Sequence, residues 1–123
     1  MYTQSLSDMM KRKALKEPTG FCYEDGSGSN RLLPHDVMRD KGLTIQKCIL
    51  HCSEKKYKFA GVQTGHECWC GNDSPPKNKI RSKSDCSVRC SGDHDQKCGG
   101  IWRINVFDIG KSLRVHISPA SIG

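Results

Sequence analysis

Eight cysteines, at positions 22, 48, 52, 68, 70, 86, 90 and 98, constrain this 123-residue chain more than any other feature. An even number of thiols at that density is the mark of a disulfide framework, because the cytosol keeps thiols reduced and an oxidising compartment does not. Only 35% of the residues are hydrophobic, enough for one small core, so cross-links are expected to supply much of the stability. The expected setting is secretion, or the extracellular portion of a membrane protein. No stretch approaches the ~20 consecutive apolar residues of a membrane helix, so no membrane span is expected in this chain. Met1–Gly20 is polar and charged and lacks the apolar segment of a signal peptide, which reads as the start of a mature form or a fragment.

Three regions are expected: a flexible basic leader over 1–20, carrying Lys11, Arg12, Lys13 and Lys16; a cysteine-rich domain over 21–108; and a strand-like extension over 109–123. Within the domain, Thr44 is placed to cap a helix in which Ile45, Cys48, Ile49 and Cys52 repeat as one buried face. Gln46, Lys47, Glu54 and Lys55 take its wet side. Lys58–Gln63 and Glu67–Cys70 read as two strands joined by Thr64-Gly65-His66, and Arg103–Phe107 alternates as another. The segment Ser91–Lys97 reads as a loop. The fold class is thus a small disulfide-rich α+β domain, a short helix on a small antiparallel sheet with four disulfides.

Spacing limits how the thiols pair. Cysteines four apart on a helix stand about 6 Å apart along its axis, and cysteines two apart on a strand share one face at about 6.6 Å. A helix lying along the strand can therefore carry Cys48–Cys68 beside Cys52–Cys70, favoured over the crossed pairing. Of the other four, a local Cys90–Cys98 bridge would close the Gly- and Asp-rich segment and leave Cys22–Cys86; spacing constrains this half less. A metal site is the competing reading, since His51, Cys52, His66, Cys68 and Cys70 lie close in sequence, but thiolate zinc sites belong to reducing compartments. Asp93 and Asp95 lack the further acidic ligands calcium needs. No metal and no cofactor is expected.

These residues resemble the WSC domain, a cysteine-rich module of fungal cell-wall sensors, some carbohydrate-active enzymes and the animal Kremen receptors. The similarity is carried by Phe21-Cys22-Tyr23-Glu24-Asp25, Leu43–Cys48, Cys52, Tyr57–Gln63, Glu67–Asn72, Cys86, Cys90 through Gly92-Asp93, Cys98-Gly99-Gly100 and Arg103–Phe107. Leu43–Asn72 and the Gly92-Asp93-His94 loop look most like Kremen. The resemblance implies the bridges 22–86, 48–68, 52–70 and 90–98. It also implies a binding module for carbohydrate of cell wall or matrix, with a Kremen-like protein-interaction module for a Wnt-pathway type partner at the cell surface as the alternative.

Alternation turns Trp69 away from the sulfur-bearing face of its strand, so it is either covered, with the Pro75-Pro76 loop as one cover, or exposed as a stacking platform. Tyr57, Gln63, Glu67, Trp69, Asn72 and Trp102 are the candidate ligand-binding residues. Tyr57 and Phe59 are expected on one strand face. Asn72-Asp73-Ser74 is a glycosylation sequon, weakened by Pro75. The net charge of +7 favours acidic partners, and Lys55, Lys56, Lys58, Lys77, Lys79, Arg81 and Lys83 are candidates for sulfated or uronic-acid groups. Because that charge is scattered, no nucleic-acid role is expected. It also admits a secreted effector as a third reading. Catalysis is not expected: histidines 35, 51, 66, 94 and 116 are dispersed, no nucleophile motif occurs, and adjacent His66 and Glu67 on a strand point oppositely.

Overall fold

In a computed structural model, residues 20–116 are described. The readings made for residues 1–19 and 117–123 lie outside them. In chain order the elements are β1 (Phe21–Glu24), β2 (His35–Arg39), α1 (Ile45–Glu54), β3 (Phe59–Gln63), β4 (Glu67–Gly71), β5 (Arg89–Cys90), β6 (Asp93–Lys97), β7 (Arg103–Asp108) and α2 (Ile109–His116), with short 3-10 turns between some of them. Five strands form an antiparallel sheet in the order β1-β7-β3-β4-β2, and β5 and β6 form a separate ribbon.

The helix begins as its sequence requires. Thr44 is extended and its side chain accepts a hydrogen bond from the Lys47 backbone N–H. Ile45, Cys48, Ile49 and Cys52 are buried against Ala60, Val62, Cys68, Cys70 and Phe107 of the sheet. Gln46 departs from its wet-side assignment. It is buried, and its Oε1 accepts from Gln96 Nε2, while Gln96 Oε1 accepts from the Ile45 N–H. The β6 strand thus supplies a side chain that satisfies an orphan donor of the first turn of α1. That contact spans fifty residues, so helical periodicity carries no trace of it.

All four bridges form as expected: Cys22–Cys86, Cys48–Cys68, Cys52–Cys70 and Cys90–Cys98, with Cα–Cα distances of 5.9, 5.4, 5.4 and 4.9 Å. The two helix-to-strand bridges lie side by side, which brings the sulfurs of Cys48, Cys52 and Cys68 within 4.8 Å of one another. Each is covalently bonded to another sulfur, so none offers a thiolate to a metal.

Two segments differ from their sequence reading. Residues 93–97 form β6 rather than a loop, its pairing with β5 interrupted by a register shift beside Cys90. Beyond β7 the chain turns into α2 rather than a strand-like extension: Asp108 Oδ1 accepts from the Lys111 N–H as a helix cap, and Ile109 packs into the core. The short β-like pattern of Arg103–Phe107 does not register that cap.

The sheet has two faces. The helix side carries the cystines; the outer side carries Phe21 and Tyr23 of β1, Ile104 and Val106 of β7, Phe59, Gly61 and Gln63 of β3, and Glu67 and Trp69 of β4. The loop between β1 and β2 folds over part of this outer face. Leu33 of the loop is fully buried there, and a Cβ on Gly61 would lie 2.8 Å from Leu33 Cδ1 and 2.5 Å from Ile104 Cδ1. Only a residue without a side chain permits that approach.

Candidate binding face

Asp25 organises the loop that covers the outer face. Its carboxylate accepts from the backbone N–H groups of Gly26 and Leu32 and from Arg31 Nη1 at 3.0 Å, with the Asp25 side chain 1% exposed. Held so, the Arg31 guanidinium lies over the Trp69 ring at 3.8 Å from its centroid and faces the Trp102 ring at 5.7 Å. Arg31 also donates to Gln63 Oε1 at 3.3 Å. Arg39 also stands 6.0 Å from the Trp69 ring centroid and pairs with Glu67, whose other oxygen accepts from Trp69 Nε1. Two arginines and two tryptophans therefore form a cluster in which Asp25 and Glu67 balance the cations. Such guanidinium–ring contacts contribute about 0.5–2 kcal/mol each, more when desolvated.

This arrangement corrects two candidate residues. Trp69 is buried at 8% exposure beneath the Asp25–Leu33 loop, and Gln63 is buried as an acceptor for Arg31. Neither offers a free surface to a ligand, because the loop that comes down on them starts some thirty or more residues away in sequence. Trp102, by contrast, is 45% exposed. Its backbone takes φ +53, a conformation unusual for a bulky side chain, and its carbonyl accepts from the Asp25 N–H. The preceding turn depends on Gly99, at φ +70, where a Cβ would come within 2.5 Å of the Val62 carbonyl oxygen. The turn also presents Ile101 at 79% exposure.

The other candidates lie elsewhere. Tyr57 is on the helix side, where it stacks on His35 with ring centroids 5.5 Å apart, while Phe59 packs on the outer face. They do not share a face, because β3 begins only at Phe59 and the turn before it holds Lys56 at φ +70. A hydrogen bond with Asp36 raises the Tyr57 phenol above its ordinary value. Asn72 is exposed just past the end of β4 opposite Glu67, and its Oδ1 accepts from the Lys58 N–H. The structure thus gathers Gln63, Glu67, Trp69 and Trp102 and leaves Tyr57 and Asn72 apart. Arg31, which joins that group, had no signal in the sequence beyond being one of many basic residues.

Charge is distributed unevenly. Glu24 pairs with Arg81 and Lys79, Asp85 with Arg103, Asp25 with Arg31 and Glu67 with Arg39. The Arg81 hydrogen bond and charge hold the Glu24 carboxyl below the usual carboxylate value. Lys79 and Arg81 are therefore engaged at home, whereas Lys55, Lys56 and Lys58 are exposed with no ion pair among the described residues. An open cleft of about 650 Å³ lies on the helix side, between the start of α1, residues 82–87 and β6, and none of the six candidate residues lines it.

The WSC domain family model matches residues 20–100. Kremen protein 1 of Mus musculus is 40% identical over 88 residues, which are 71% of this chain and 18% of that protein. Xylosyltransferase oxt of Drosophila melanogaster and a WSC domain-containing protein of Arthroderma benhamiae are each 33% identical over 89 residues, 72% of this chain and 10% of theirs. The chain spans less than a fifth of the length of these relatives, so the similarity is that of one module. With the match running from the strand that opens the sheet to the glycines before Trp102, the chain belongs to the WSC domain family.

Proposed function

We propose that this WSC domain is a non-catalytic, extracellular binding module that recognises carbohydrate of cell wall or matrix, with Trp102 as its stacking platform. The observation that carries the reading is the half-exposed indole of Trp102, held at a left-handed backbone angle and backed by Arg31. A flat ring fixed in place meets the C–H face of a sugar with little ordering cost. Four disulfides are the chemistry of an oxidising compartment and support the extracellular setting. Among the described residues, no helix is long and apolar enough to cross a membrane. The test is a glycan array probed with oxidised protein and with Trp102→Ala. Binding by the parent and its loss in the variant, at an unchanged melting temperature, is the expected result; equal binding by both refutes the platform.

One observation favours a second reading. Ile101, Phe21 and Ile80 are 79%, 62% and 47% exposed, the kind of apolar surface that a protein partner covers. In that reading the domain contacts a cell-surface or extracellular protein. An array without signal, together with capture of a defined extracellular protein that Ile101→Asp abolishes, would favour it.

A further inference from the structure

The cleft on the helix side follows from how few strands one helix can cover. A helix with its side chains is about 10 Å across and neighbouring strands stand about 4.8 Å apart, so α1 spans about two of them. It packs on β3 and is twice bridged to β4. Over β7 and β1 the same side of the sheet meets residues 82–87, tied to β1 through Cys22–Cys86, and β6, tied to α1 through Gln96. The opening of about 650 Å³ left between these covers has the size of a small-molecule site.

Its lining joins apolar groups to hydrogen-bond donors that lack an acceptor. Ile45, Phe107 and the Cys22–Cys86 bridge are the apolar part. Asn105, 8% exposed, lies on the same side of β7 as Phe107. Its Oδ1 accepts from the Gly99 N–H at 2.7 Å, which fixes the orientation of the amide, and among the described residues no acceptor meets its two N–H groups. Gln96, also 8% exposed, uses its Oε1 on the Ile45 N–H and one N–H on Gln46 Oε1, which leaves its second N–H over. Buried donors without a partner are rare in folded proteins. On the rim, Lys83 and Lys97 are exposed with no ion pair among the described residues, against the single carboxylate of Asp95. Apolar walls, amide donors and a positive rim are the complement of a molecule with an apolar chain and an anionic head that only accepts hydrogen bonds.

We infer that this cleft is a second binding site, for a small amphipathic carboxylate. Asn105 and Gln96 donate to the carboxylate oxygens, Lys83 and Lys97 balance its charge, and Ile45 and Phe107 receive its apolar chain. The site lies on the opposite side of the sheet from Arg31 and Trp69 and is independent of the carbohydrate reading. Each methylene that enters the cleft strengthens binding, by up to about fourfold, until the cleft is filled.

The experiment is titration of the whole chain, disulfides intact, with butanoate, hexanoate and octanoate, and with octanol and octylammonium as uncharged and cationic heads. Binding is followed by NMR of the backbone and side-chain amides. The carboxylates are expected to shift the side-chain amide signals of Asn105 and Gln96 saturably, with affinity rising along the series. Octanol binds more weakly than octanoate, and octylammonium more weakly still. Lys83→Gln combined with Lys97→Gln is expected to weaken octanoate by about three- to tenfold and to leave octanol unchanged. Ser87→Trp, at an exposed position of the lining, fills the cleft and abolishes binding of every probe. Melting temperatures check that the variants fold, and the lysine pair decides alone where Ser87→Trp does not. Octanol binding as tightly as octanoate, or a lysine-pair variant that binds octanoate like the parent, overturns the anionic ligand. No saturable shift at Asn105 and Gln96, or full binding by folded Ser87→Trp, overturns the site.

Discussion

Replacing Arg31 by methionine removes the cation and keeps an unbranched apolar stem over Trp69. The Asp25 carboxylate, with its side chain 1% exposed, then keeps the backbone N–H groups of Gly26 and Leu32 and loses its counter-charge. Removing one partner of a buried pair costs about 3–5 kcal/mol when the other is left bare. Two retained donors and the 16% exposure of Arg31 reduce this, while loss of the guanidinium–ring contacts adds about 0.5–2 kcal/mol. The expected destabilisation is about 2–4 kcal/mol. It is measured by urea unfolding with the disulfides intact, and it lowers the melting temperature by ~4–8 °C per kcal/mol in a domain of this size. Asp25→Asn in the Arg31→Met background should restore part of the loss, because the asparagine carbonyl still accepts from both backbone groups and carries no charge. A single variant within about 0.5 kcal/mol of the parent, the range of an ordinary surface change, would show that Arg31 does not hold this face together.

Three further outcomes are expected. In the chain-entropy account, opening Cys22–Cys86 costs about 1.8 kcal/mol more than opening Cys90–Cys98, since the loops close at separations of 64 and 8 residues; paired Cys→Ser variants in urea give the comparison, and equal losses refute it. Gln96→Leu strands the buried Ile45 N–H and the Gln46 amide, so a loss of about 1–3 kcal/mol is expected in the same assay. Because Arg81 lowers the folded-state pKa of Glu24, the stabilisation is complete above the unfolded carboxylate value and disappears as pH falls through the folded one. Glu24→Gln should therefore flatten the acid limb of melting temperature against pH without steepening the alkaline limb.

How far the sequence carries differs between the framework and the face. Thr44, the spacing of Cys48 and Cys52 on α1 and that of Cys68 and Cys70 on β4 are local facts. Helix rise and strand rise turn them directly into a capped helix bridged twice to a strand. Gly and Asp are poor strand formers, so Ser91–Lys97 taken alone reads as a loop, and the pairing of residues 93–97 with β5 overrides that preference. The burial of Gln46 depends on Gln96, fifty residues on, and periodicity within α1 has no access to that partner.

The same division holds for the binding face. Alternation along β4 sets which side of the strand Trp69 points to, and it says nothing of what arrives above it. The Asp25–Leu33 loop buries Trp69 under Arg31, and the turn after Gly99 brings Trp102 within reach of the same guanidinium. Cysteine spacing and hydrophobic period are properties of a few consecutive residues, so the helix, the hairpin and the two bridges that join them follow from the sequence alone. Which aromatic rings remain open, and which cations are already neutralised, depends on contacts between segments tens of residues apart, and those exist only once the chain has closed on itself.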